Sequence, residues 1–541
     1  MSKHNFQRDE IERIYGKVSP FELKDKLIGL ARENEAHSLL DAGRGNPNWT
    51  AATPREAFFL FGMFAVEETR RVWADKDLAG MPKREGIAER LKFYLEKHAS
   101  MPGAELLNKI VAYGITLKGF EPDEWVYELA DGIIGDNYPL PSRMLRHVEA
   151  VVRDYLEQEL SLPERSGDKL SLFAVEGATA GMCYIFDSLI ANNIFDKGDK
   201  IALMAPIFTP YLEIPHLPRY NLQVVEVLAD EMTVDGIHTW QYPPEEMKKL
   251  CDPSIKALFI VNPSNPASVA MKPETVRQLR EIVETHNRDL MIISDDVYST
   301  FVDGFQSLMA ELPYNAIGVY SFSKYFGVTG WRLGTIALYE NNVFDKLLRN
   351  QAEDKTLRAR KRYEGLSIEP DSIPFIERIV ADSRQVALNH TAGLSTPQQV
   401  QMAFFSLFAL LDKEDRYKNL TKDICRRRKK LLFDSLGLKL RQDQHDAAYY
   451  TQFDLLEWAA HYYNKEFAHY LQANHKPVDI LLRLAEEFSV VLLGGNGFHA
   501  SEWSIRISLA NLTDEAYSHI GDAIGKILKE FVAKWEEEKR R

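Results

Sequence analysis

The sequence predicts an α/β fold: a large domain with a mainly parallel sheet flanked by helices, joined to a smaller α+β domain. Two observations predict it. In the central third of the chain, short apolar runs rich in β-branched residues alternate with longer amphipathic segments, as in βαβ units. From about residue 396, long helical patterns are mixed with three short strand-like runs. The length of 541 residues is that of two or three domains.

Six strands are predicted for the large domain from apolar runs. They cover Leu170 to Val175, Lys200 to Met204, Ile255 to Val261, Leu290 to Ile293, Ile317 to Phe322 and Leu333 to Leu338. Helical periodicity lies between them, at Thr179 to Asn193, at Pro273 to His286 and in a short segment near Gln306. Pro273 favours a helix start, because a proline at the first helical position loses no hydrogen bond.

The remaining segments are predicted more coarsely. Residues 1–40 and 53–130 have mostly helical patterns, and the chain ends in a charged amphipathic helix from Lys526 to Arg541. Residues 341–385 are strongly charged and are expected to form a solvated insertion, whose basic run at 358–362 favours an exposed helix face over a partner site. Strands of the smaller domain are predicted over Tyr449 to Phe453, Ser489 to Leu493 and Trp503 to Leu509.

Composition excludes several classes of protein. The formal net charge of −13 argues against nucleic-acid binding, which needs a basic face. The 3 cysteines are far apart, so we expect reduced thiols in the cytoplasm and no metal site. The first residues are polar and mixed in charge, so no signal peptide is expected. No uninterrupted apolar window is long enough to predict a membrane span.

Lys324 is the first candidate catalytic residue. It lies in the stretch Ser-Phe-Ser-Lys-Tyr-Phe-Gly-Val-Thr-Gly-Trp-Arg-Leu-Gly, residues 321–334, directly after a predicted strand. A lysine amine becomes a nucleophile towards carbonyl groups when a desolvated or cationic setting lowers its pKa, and the product is a Schiff base. Arg332 is placed to supply such a setting. Considered alone, the position of Lys324 favours an ordinary surface lysine after a strand.

A phosphate site is predicted on either side of this lysine. Residues 173–181, Phe-Ala-Val-Glu-Gly-Ala-Thr-Ala-Gly, form a strand that runs into a small-residue turn and a helix, which presents free N–H groups to an anion. Thr179 adds a hydroxyl donor, and Ser321, Ser323 and Arg332 add donors from the other side. A phosphate facing a lysine amine suggests pyridoxal phosphate, whose aldehyde and phosphate must be held together.

Three further strand ends carry residues that suit the ring of this cofactor. In Val-Asn-Pro-Ser-Asn-Pro-Ala-Ser, residues 261–268, a proline-restrained turn aims an Asn amide above the sheet. Asp295 can keep a pyridine nitrogen protonated, Tyr298 can donate to the phenolic oxygen, and Phe208 can stack on the ring. Each has a structural alternative: an ordinary Asx-Pro turn, a helix-capping carboxylate and a core phenylalanine.

The order of these features resembles fold type I pyridoxal-phosphate enzymes of the aspartate aminotransferase superfamily, over most of residues 41–511. The resemblance implies that Lys324 forms the Schiff base with the cofactor and that Asp295 pairs with the pyridine nitrogen. It also implies that Asn265 and Tyr298 bond the ring oxygen and that Phe208 stacks on the ring. The implied phosphate cradle consists of Gly177, Ala178, Thr179, Ser321, Ser323 and Arg332.

The same resemblance implies a set of substrate contacts. Arg506, in Trp-Ser-Ile-Arg-Ile-Ser-Leu, corresponds to the arginine that forks onto the substrate α-carboxylate. Asp-Ala-Gly-Arg-Gly-Asn-Pro-Asn-Trp, residues 41–49, resembles the segment that covers the substrate, so Arg44 and Gly45 are candidates. Tyr138 resembles the tyrosine that reaches the cofactor phosphate of a neighbouring subunit, which implies a homodimer or a larger assembly of dimers.

The contact with a second substrate carboxylate departs from the superfamily's pattern. In its dicarboxylate aminotransferases an arginine clamps the side-chain carboxylate, and Ala392 occupies that place here. A firm ion pair would stabilise the carboxylate in the ground state and oppose its departure, so a weaker contact favours decarboxylation. Arg44 is the first candidate for this contact, ahead of Arg384 and His390; the alternative for each is an exposed surface or loop charge.

The chain's length, extra sequence near 75–130 and 341–385, and the motifs quoted above resemble the aspartate β-decarboxylases of this superfamily. The resemblance implies conversion of L-aspartate to L-alanine and carbon dioxide through a ketimine. It also implies a side aminotransferase activity that uses keto acids such as pyruvate or 2-oxoglutarate. We expect the chain to divide into four parts. These are a substrate-covering segment 1–50, a helical part 51–130 that packs with the small domain, a large cofactor-binding domain 131–365 and a small domain 366–541.

The sequence has three alternative interpretations. The first is an aspartate or aromatic amino-acid aminotransferase without productive decarboxylation. A regulatory module fused to a DNA-binding domain needs a basic helix-turn-helix segment before residue 50, and none is evident. A catalytically silent scaffold is expected to have lost Lys324, Asp295 or Arg506, and all three are present.

Overall fold

The computed structural model describes residues 20–33, 38–163, 165–233, 237–384 and 393–541. Its central element is a seven-stranded sheet. In spatial order the strands are Leu170–Val175, Gly334–Tyr339, Ala316–Ser321, Met291–Asp295, Ile255–Val261, Lys200–Ala205 and Gln223–Leu228. All neighbours pair in parallel except Gly334–Tyr339, which is antiparallel to both of its partners. The predicted mainly parallel sheet is therefore confirmed.

The six predicted strands of this sheet are all present, with ends shifted by one or two residues at most. The strand Gln223–Leu228 was not predicted; it lies at the edge of the sheet and, among the described strands, pairs with Lys200–Ala205 alone. Its first residue is exposed and the next three are only partly buried, because an edge strand has a neighbour on one side only. The polar residues Gln223 and Glu226 interrupt the apolar run on which strand prediction depends.

Helices cover the sheet on both sides. Further helices precede and follow the sheet strands along the chain. The described α-helices are Pro20–Glu33, Ala52–Val72, Ile87–Lys97, Ala104–Ala112, Pro122–Ile134, Arg146–Glu159, Ala178–Ala191, Thr209–Glu213, Pro244–Met247, Pro273–Thr285, Leu308–Glu311, Val343–Arg349, Glu353–Tyr363, Phe375–Arg384, Thr396–Leu411, Arg416–Leu436, Leu455–Tyr462, Lys465–Asn474, Pro477–Phe488 and Asp514–Arg540. Among these described helices, none is long and apolar enough to cross a membrane.

The helices between residues 52 and 134 belong to the larger hydrophobic core. Phe61, Leu107 and Trp125 are buried in the same cluster as the central sheet, and the ring of Phe61 lies 5.9 Å from that of Phe404. These helices contact helix Thr396–Leu411, which lies within the predicted small domain 366–541 but is buried in the same larger core, so the division into domains stays a prediction. The apolar faces of these helices are satisfied by each other and by Thr396–Leu411.

Residues 341–385 are only partly the solvated insertion that their charge predicted. Helix Glu353–Tyr363 exposes the basic side chains of residues 358–362, as expected of an exposed helix face. Helix Phe375–Arg384 is instead largely buried against helix Ala178–Ala191. Its Asp382 accepts hydrogen bonds from Ser188 at 2.6 Å and Asn192 at 3.0 Å. The high number of charged residues wrongly predicted exposure of this helix, because charged groups can be buried when they are paired.

The smaller core is built from both ends of the chain. Tyr450–Asp454, Ser504–Ser508 and Leu493–Gly494 form an antiparallel sheet, against which the long C-terminal helix Asp514–Arg540 and its partner Arg416–Leu436 pack. The N-terminal helix Pro20–Glu33 joins this core through Leu27 and Leu30. The smaller core thus lies beside the carboxyl ends of the parallel strands, where α/β folds bind ligands.

Candidate active site

A cavity of about 330 Å³ lies at the carboxyl ends of the parallel strands, closed on one side by the smaller domain. Predicted site residues make up most of its lining: Gly45, Ala178, Thr179, Phe208, Asn265, Asp295, Tyr298, Ser321, Ser323, Lys324, Arg332 and Arg506. These residues come from segments more than 450 positions apart in the chain, between Gly45 and Arg506. The fold therefore gathers one lysine, one carboxylate and two arginines around a single ligand-sized space.

The Lys324 amine faces the loop that the sequence predicted to cover the substrate. Its Nζ donates to the carbonyl oxygen of Gly45 at 3.1 Å, and the Tyr449 hydroxyl donates to the same oxygen at 2.8 Å. A Cβ at position 45 would lie 2.5 Å from the Tyr450 hydroxyl and 3.3 Å from Lys324 Nζ. Glycine is required there because any side chain would displace the groups that border the cavity.

Asp295 is a buried carboxylate at the end of its strand. Its Oδ2 accepts a hydrogen bond from the Tyr211 hydroxyl at 2.6 Å, and its Oδ1 accepts from the backbone N–H of Val297 at 3.2 Å. Burial raises the pKa of Asp295 to about 6, although both hydrogen bonds and the charge of Lys324 act to lower it. A cationic group placed against Asp295 would relieve this burial penalty.

Arg506 is a buried guanidinium with donors left for a ligand. Its side chain is 1% exposed, its Nη1 donates to Asn265 Oδ1 at 3.0 Å, and its Nη2 donates to the carbonyl oxygen of Gly43 at 2.7 Å. Its Nε is buried without a hydrogen-bond partner among the described residues. Burial lowers the pKa of Arg506, and the rings of Tyr450 and Phe498 lie 4.4 and 5.0 Å from its Cζ. Such a group favours a carboxylate ligand.

The residues predicted to bind a phosphate offer both backbone and side-chain donors. Helix Ala178–Ala191 has no side-chain cap, so its first N–H groups are available to an anion. Gly177 has a φ of +89°, and a Cβ there would lie 2.4 Å from Arg332 Nη2. Arg332 Nη1 and Nη2 donate to the carbonyl oxygens of Thr329 and Glu176, which holds the guanidinium beside the helix end. Gly177 itself forms the turn without lining the cavity.

Two tyrosines of the site were not predicted. Tyr211 lies three residues after Phe208, and its edge-on contact with that ring, at 5.5 Å between centroids, carries its hydroxyl to Asp295. Tyr450 lines the cavity from the smaller domain, and its hydroxyl lies 3.0 Å from that of Tyr298. The strand containing Tyr450 was predicted, but with three polar or aromatic residues at its start the sequence did not show which side chain faces the cavity.

Arg44 and Arg384, two of the candidates for the second carboxylate contact, do not line the cavity. Arg44 is 61% exposed, and its Nε donates to Asp41 Oδ2 at 3.1 Å. Arg384 contacts Ser383 and lies 5.7 Å from the ring of Phe173. His390 and Ala392 lie outside the described residues. Tyr138, which the resemblance assigned to a neighbouring subunit's cofactor, is 68% exposed on the surface.

Comparisons with known proteins agree with this geometry. The family model for aminotransferase class I and II matches residues 177–524. A bifunctional aspartate aminotransferase and L-aspartate beta-decarboxylase from Pseudomonas sp. is 44% identical over 520 residues, which cover 96% of this chain and 97% of that protein. The chain belongs to the class I and II aminotransferase family. Within the family, the match to the Pseudomonas protein extends over almost the full length of both chains.

Solved aminotransferase structures share the fold. An aspartate aminotransferase from Rhizobium meliloti superposes with a TM-score of 0.60 at 16% identity, covering 95% of this chain and 96% of that one. Thermus thermophilus aspartate aminotransferase with maleate gives a TM-score of 0.59 at 17% identity, covering 94% and 96%. At these identities the likeness establishes the fold type I architecture and leaves the substrate to other observations.

The cofactor of class I and II aminotransferases is pyridoxal 5′-phosphate, and the cavity fits it. The uncapped helix end beside Arg332 suits the phosphate, and the turn at Gly177 leaves room that a Cβ would fill. Asp295 supplies the buried carboxylate that a protonated pyridine nitrogen needs, and the Lys324 amine lies in the same cavity. Among the described residues, no cluster of side chains could hold a metal ion.

Proposed function

We propose that this chain converts L-aspartate to L-alanine and carbon dioxide with pyridoxal phosphate, and transaminates aspartate as a side reaction. The observation that carries the proposal is the match to the bifunctional Pseudomonas protein, 44% identical over nearly the full length of both chains. The cavity supports it, because one buried arginine and one lysine amine face the space in which an amino acid would meet the cofactor.

The cofactor, when bound, supplies an aldehyde that captures the amino group of aspartate and a ring that accepts electrons when a bond at the substrate breaks. Asp295 holds the ring nitrogen protonated, and the Tyr211 hydroxyl fixes the orientation of that carboxylate at 2.6 Å. Asn265 and Tyr298 bond the ring oxygen, and Phe208 stacks on the ring face. Each of these roles is proposed for a residue that lines the cavity.

Lys324 moves the substrate protons in the proposed reaction. Its Nζ is the one lysine amine among the described lining residues, so it is the group placed to remove the proton from Cα as a general base and to return protons later. Arg506 binds the α-carboxylate through the donors that its buried position leaves available. The Gly45 carbonyl, which accepts from Lys324 Nζ at 3.1 Å, positions the amine.

The departing β-carboxylate has no fixed cation within the described lining. Lys324, Arg332 and Arg506 are the cations that line the cavity, and their proposed tasks are proton transfer, phosphate binding and α-carboxylate binding. An unclamped β-carboxylate is less stabilised in the ground state, which favours its loss as carbon dioxide. Arg44 adjoins Gly45 and is held by one partly exposed ion pair with Asp41, so it is free to move towards the substrate at low cost.

The assembly and location that we propose follow the sequence prediction. The exposed Tyr138 supports a homodimer or a larger assembly of dimers, in which this side chain reaches the cofactor phosphate of the next subunit. Pyruvate or 2-oxoglutarate would accept the amino group in the side reaction. The three cysteines, Cys183, Cys251 and Cys425, are free thiols, which supports a reducing compartment such as the cytoplasm.

Incubation of the holoenzyme with L-aspartate and no keto acid tests the function. A decarboxylase releases alanine and carbon dioxide over many turnovers, because the cofactor returns to its starting form. An aminotransferase without decarboxylation stops after one half-reaction per active site, with the amino group left on the cofactor. Accumulation of alanine well above the enzyme concentration supports the proposal, and a single half-turnover refutes it.

A further inference from the structure

Tyr450 reaches the active-site cavity from the smaller domain, at the start of the strand Tyr450–Asp454. The residue is 2% exposed, so its side chain lies almost wholly against other groups of the protein and the cavity. Its hydroxyl contacts Tyr298, which the proposed function places on the cofactor ring oxygen. Its ring contacts Arg506, which the proposed function places on the substrate α-carboxylate. Tyr450 therefore touches a residue on each side of the reaction.

The hydroxyl groups of Tyr450 and Tyr298 form a buried hydrogen bond, with their oxygen atoms 3.0 Å apart. A phenol has one hydrogen to donate. When Tyr298 donates its hydrogen to the cofactor ring oxygen, the hydrogen between the two phenols has to come from Tyr450. Burial raises the pKa of Tyr298, which keeps it a neutral donor. A hydroxyl that accepts a hydrogen bond is also a stronger donor, so Tyr450 strengthens the bond from Tyr298 to the ring oxygen.

The ring of Tyr450 supports the guanidinium of Arg506. The Cζ atom of Arg506 lies over this ring, 4.4 Å from its centroid, which is within the range of a cation–π contact. Arg506 also donates to Asn265 Oδ1 and to the carbonyl oxygen of Gly43. These two hydrogen bonds leave the guanidinium plane free to tilt, and the ring of Tyr450 restricts that tilt. Recognition of a planar carboxylate depends on the orientation of this plane.

A serine with an unusual backbone conformation holds the strand that carries Tyr450. Ser268 is fully buried and has a φ of +66°, in the left-handed region that glycine adopts at lower cost. Its Oγ accepts from the backbone N–H of Tyr449 at 3.0 Å and from that of Tyr450 at 3.2 Å. Glycine at this position would remove that acceptor from both N–H groups. The hydroxyl thus explains the serine, because it ties the turn after Asn265 to the start of the strand.

We propose that Tyr450 is a positioning residue of the active site, which acts on the cofactor through Tyr298 and on the substrate α-carboxylate through Arg506. Its hydroxyl serves the first task and its ring the second, while Ser268 fixes the strand from which both extend. This role rests on the proposed function, which supplies the contacts of Tyr298 and Arg506. The two tasks are separable, because phenylalanine at position 450 keeps the ring and loses only the hydroxyl.

An absorbance titration of the holoenzyme against pH, without amino acid, tests the hydroxyl of Tyr450. The ring oxygen of the cofactor carries more negative charge when the Schiff-base nitrogen of Lys324 has lost its proton. A donor to that oxygen therefore favours the unprotonated nitrogen and lowers its pKa. Tyr450→Phe should weaken the bond from Tyr298 by about 10–30%, so the pKa of the nitrogen should rise by about 0.1–0.7 unit. An unchanged or lowered pKa would overturn the proposal.

Titration of the holoenzyme with 2-methyl-L-aspartate tests the ring of Tyr450. This compound has both carboxylates of aspartate but no proton on Cα, so it binds without turnover. Tyr450→Leu should bind it about 5- to 30-fold more weakly, whereas Tyr450→Phe should stay within about threefold of the unaltered protein. Ser268→Gly, whose side chain lies outside the cavity lining, should bind it at least about twofold more weakly. Unweakened binding by Tyr450→Leu or Ser268→Gly, or equal losses in the two Tyr450 variants, would contradict the proposal.

Tyr363 provides a matched control outside the cavity lining. It is also a buried tyrosine, its hydroxyl donates to Asp382 at 2.8 Å, and its ring lies 5.0 Å from Cζ of the buried Arg378. Tyr363→Phe and Tyr363→Leu therefore remove equivalent groups. Both should keep the Schiff-base pKa and the affinity for 2-methyl-L-aspartate of the unaltered protein. Changes as large as those in the Tyr450 variants would indicate a general effect of lost packing and refute the positioning role.

The two titrations also separate this role from the proposed function. If the unaltered holoenzyme does not bind 2-methyl-L-aspartate, the proposed use of aspartate fails. The pH titration needs no amino acid and still decides whether Tyr450 acts on the cofactor. If Tyr450→Leu does not fold, Tyr450→Phe and Ser268→Gly carry the test, because neither removes the ring that packs in the core.

Discussion

The Tyr211 hydroxyl is expected to set the pH at which the protein can hold its cofactor. The substitution Tyr211→Phe removes the donor that lies 2.6 Å from Asp295 Oδ2 and keeps the ring. A hydrogen bond to a charged group contributes about 1.5–3 kcal/mol, and about 1.4 kcal/mol corresponds to one pKa unit. The pKa of Asp295, about 6 with the hydroxyl present, should therefore rise by about one to two units in the apoprotein.

The direction of the change in cofactor affinity depends on which protonation state of Asp295 binds the cofactor. Only ionised Asp295 pairs with a protonated pyridine ring. Between the two pKa values Asp295 is ionised in the unaltered apoprotein and protonated in the variant. The variant should therefore bind pyridoxal phosphate more weakly there, by about tenfold or more near the lower of the two pKa values. Above both pKa values the two carboxyls are ionised, so the two affinities should converge. Below both values each carboxyl must lose its proton before it pairs with the ring, so the difference should reach its full size of about 10- to 100-fold.

The assay is an absorbance titration of apoprotein with pyridoxal phosphate across the pH range, for the unaltered protein and for Tyr211→Phe. Tyr242→Phe is the matched control, since Tyr242 is a buried tyrosine outside the cavity and its affinity curve should overlay that of the unaltered protein. A loss of affinity that is the same at every pH, or no loss near neutral pH, would refute the argument that Tyr211 acts through the ionisation of Asp295.

Three further substitutions test other parts of the site. Lys324→Ala should abolish turnover and the Schiff-base absorbance while circular dichroism stays unchanged. Turnover at the unaltered rate would show that Lys324 is not the catalytic lysine. Arg506→Lys keeps the charge but loses the two-pronged geometry, so KM for aspartate should rise about 10- to 100-fold with little change in cofactor affinity; titrations of both ligands check this. Gly177→Ala places a Cβ 2.4 Å from a guanidinium nitrogen and should weaken cofactor binding, whereas Gly330→Ala, with nothing within 4 Å, should not.

Much of the large domain could be predicted because its strands are buried on both faces. Runs such as Ile255–Val261 are almost continuously apolar and leave little choice of structure. The edge strand Gln223–Leu228 was missed since half-exposed residues break its apolar pattern. Helix Phe375–Arg384 was misjudged for the opposite reason: its Asp382 and Arg378 are charged yet buried, because both find partners in the fold.

The site residues that stand at or just after the ends of strands could be predicted from the sequence. Asp295 ends one buried strand and Lys324 lies three residues after the end of its parallel neighbour, so the topology brings both to one edge of the sheet. Tyr450 was not predicted, because it reaches the cavity from a strand of the other domain and only the packing of the two domains decides which face is inward. The exposure of Arg44 agrees with the alternative that the sequence left open for it, whereas its ion pair with Asp41 is seen only in the fold.

The central claim is that aspartate loses its β-carboxylate in this cavity and that the enzyme then starts again. The most direct measurement uses L-aspartate labelled with carbon-13 in the β-carboxylate, incubated with the holoenzyme without keto acid and followed by carbon-13 NMR. The proposed function predicts labelled carbon dioxide and unlabelled alanine in equal amounts, far above the enzyme concentration. Retention of the label in oxaloacetate, in an amount no greater than that of the active sites, would contradict it.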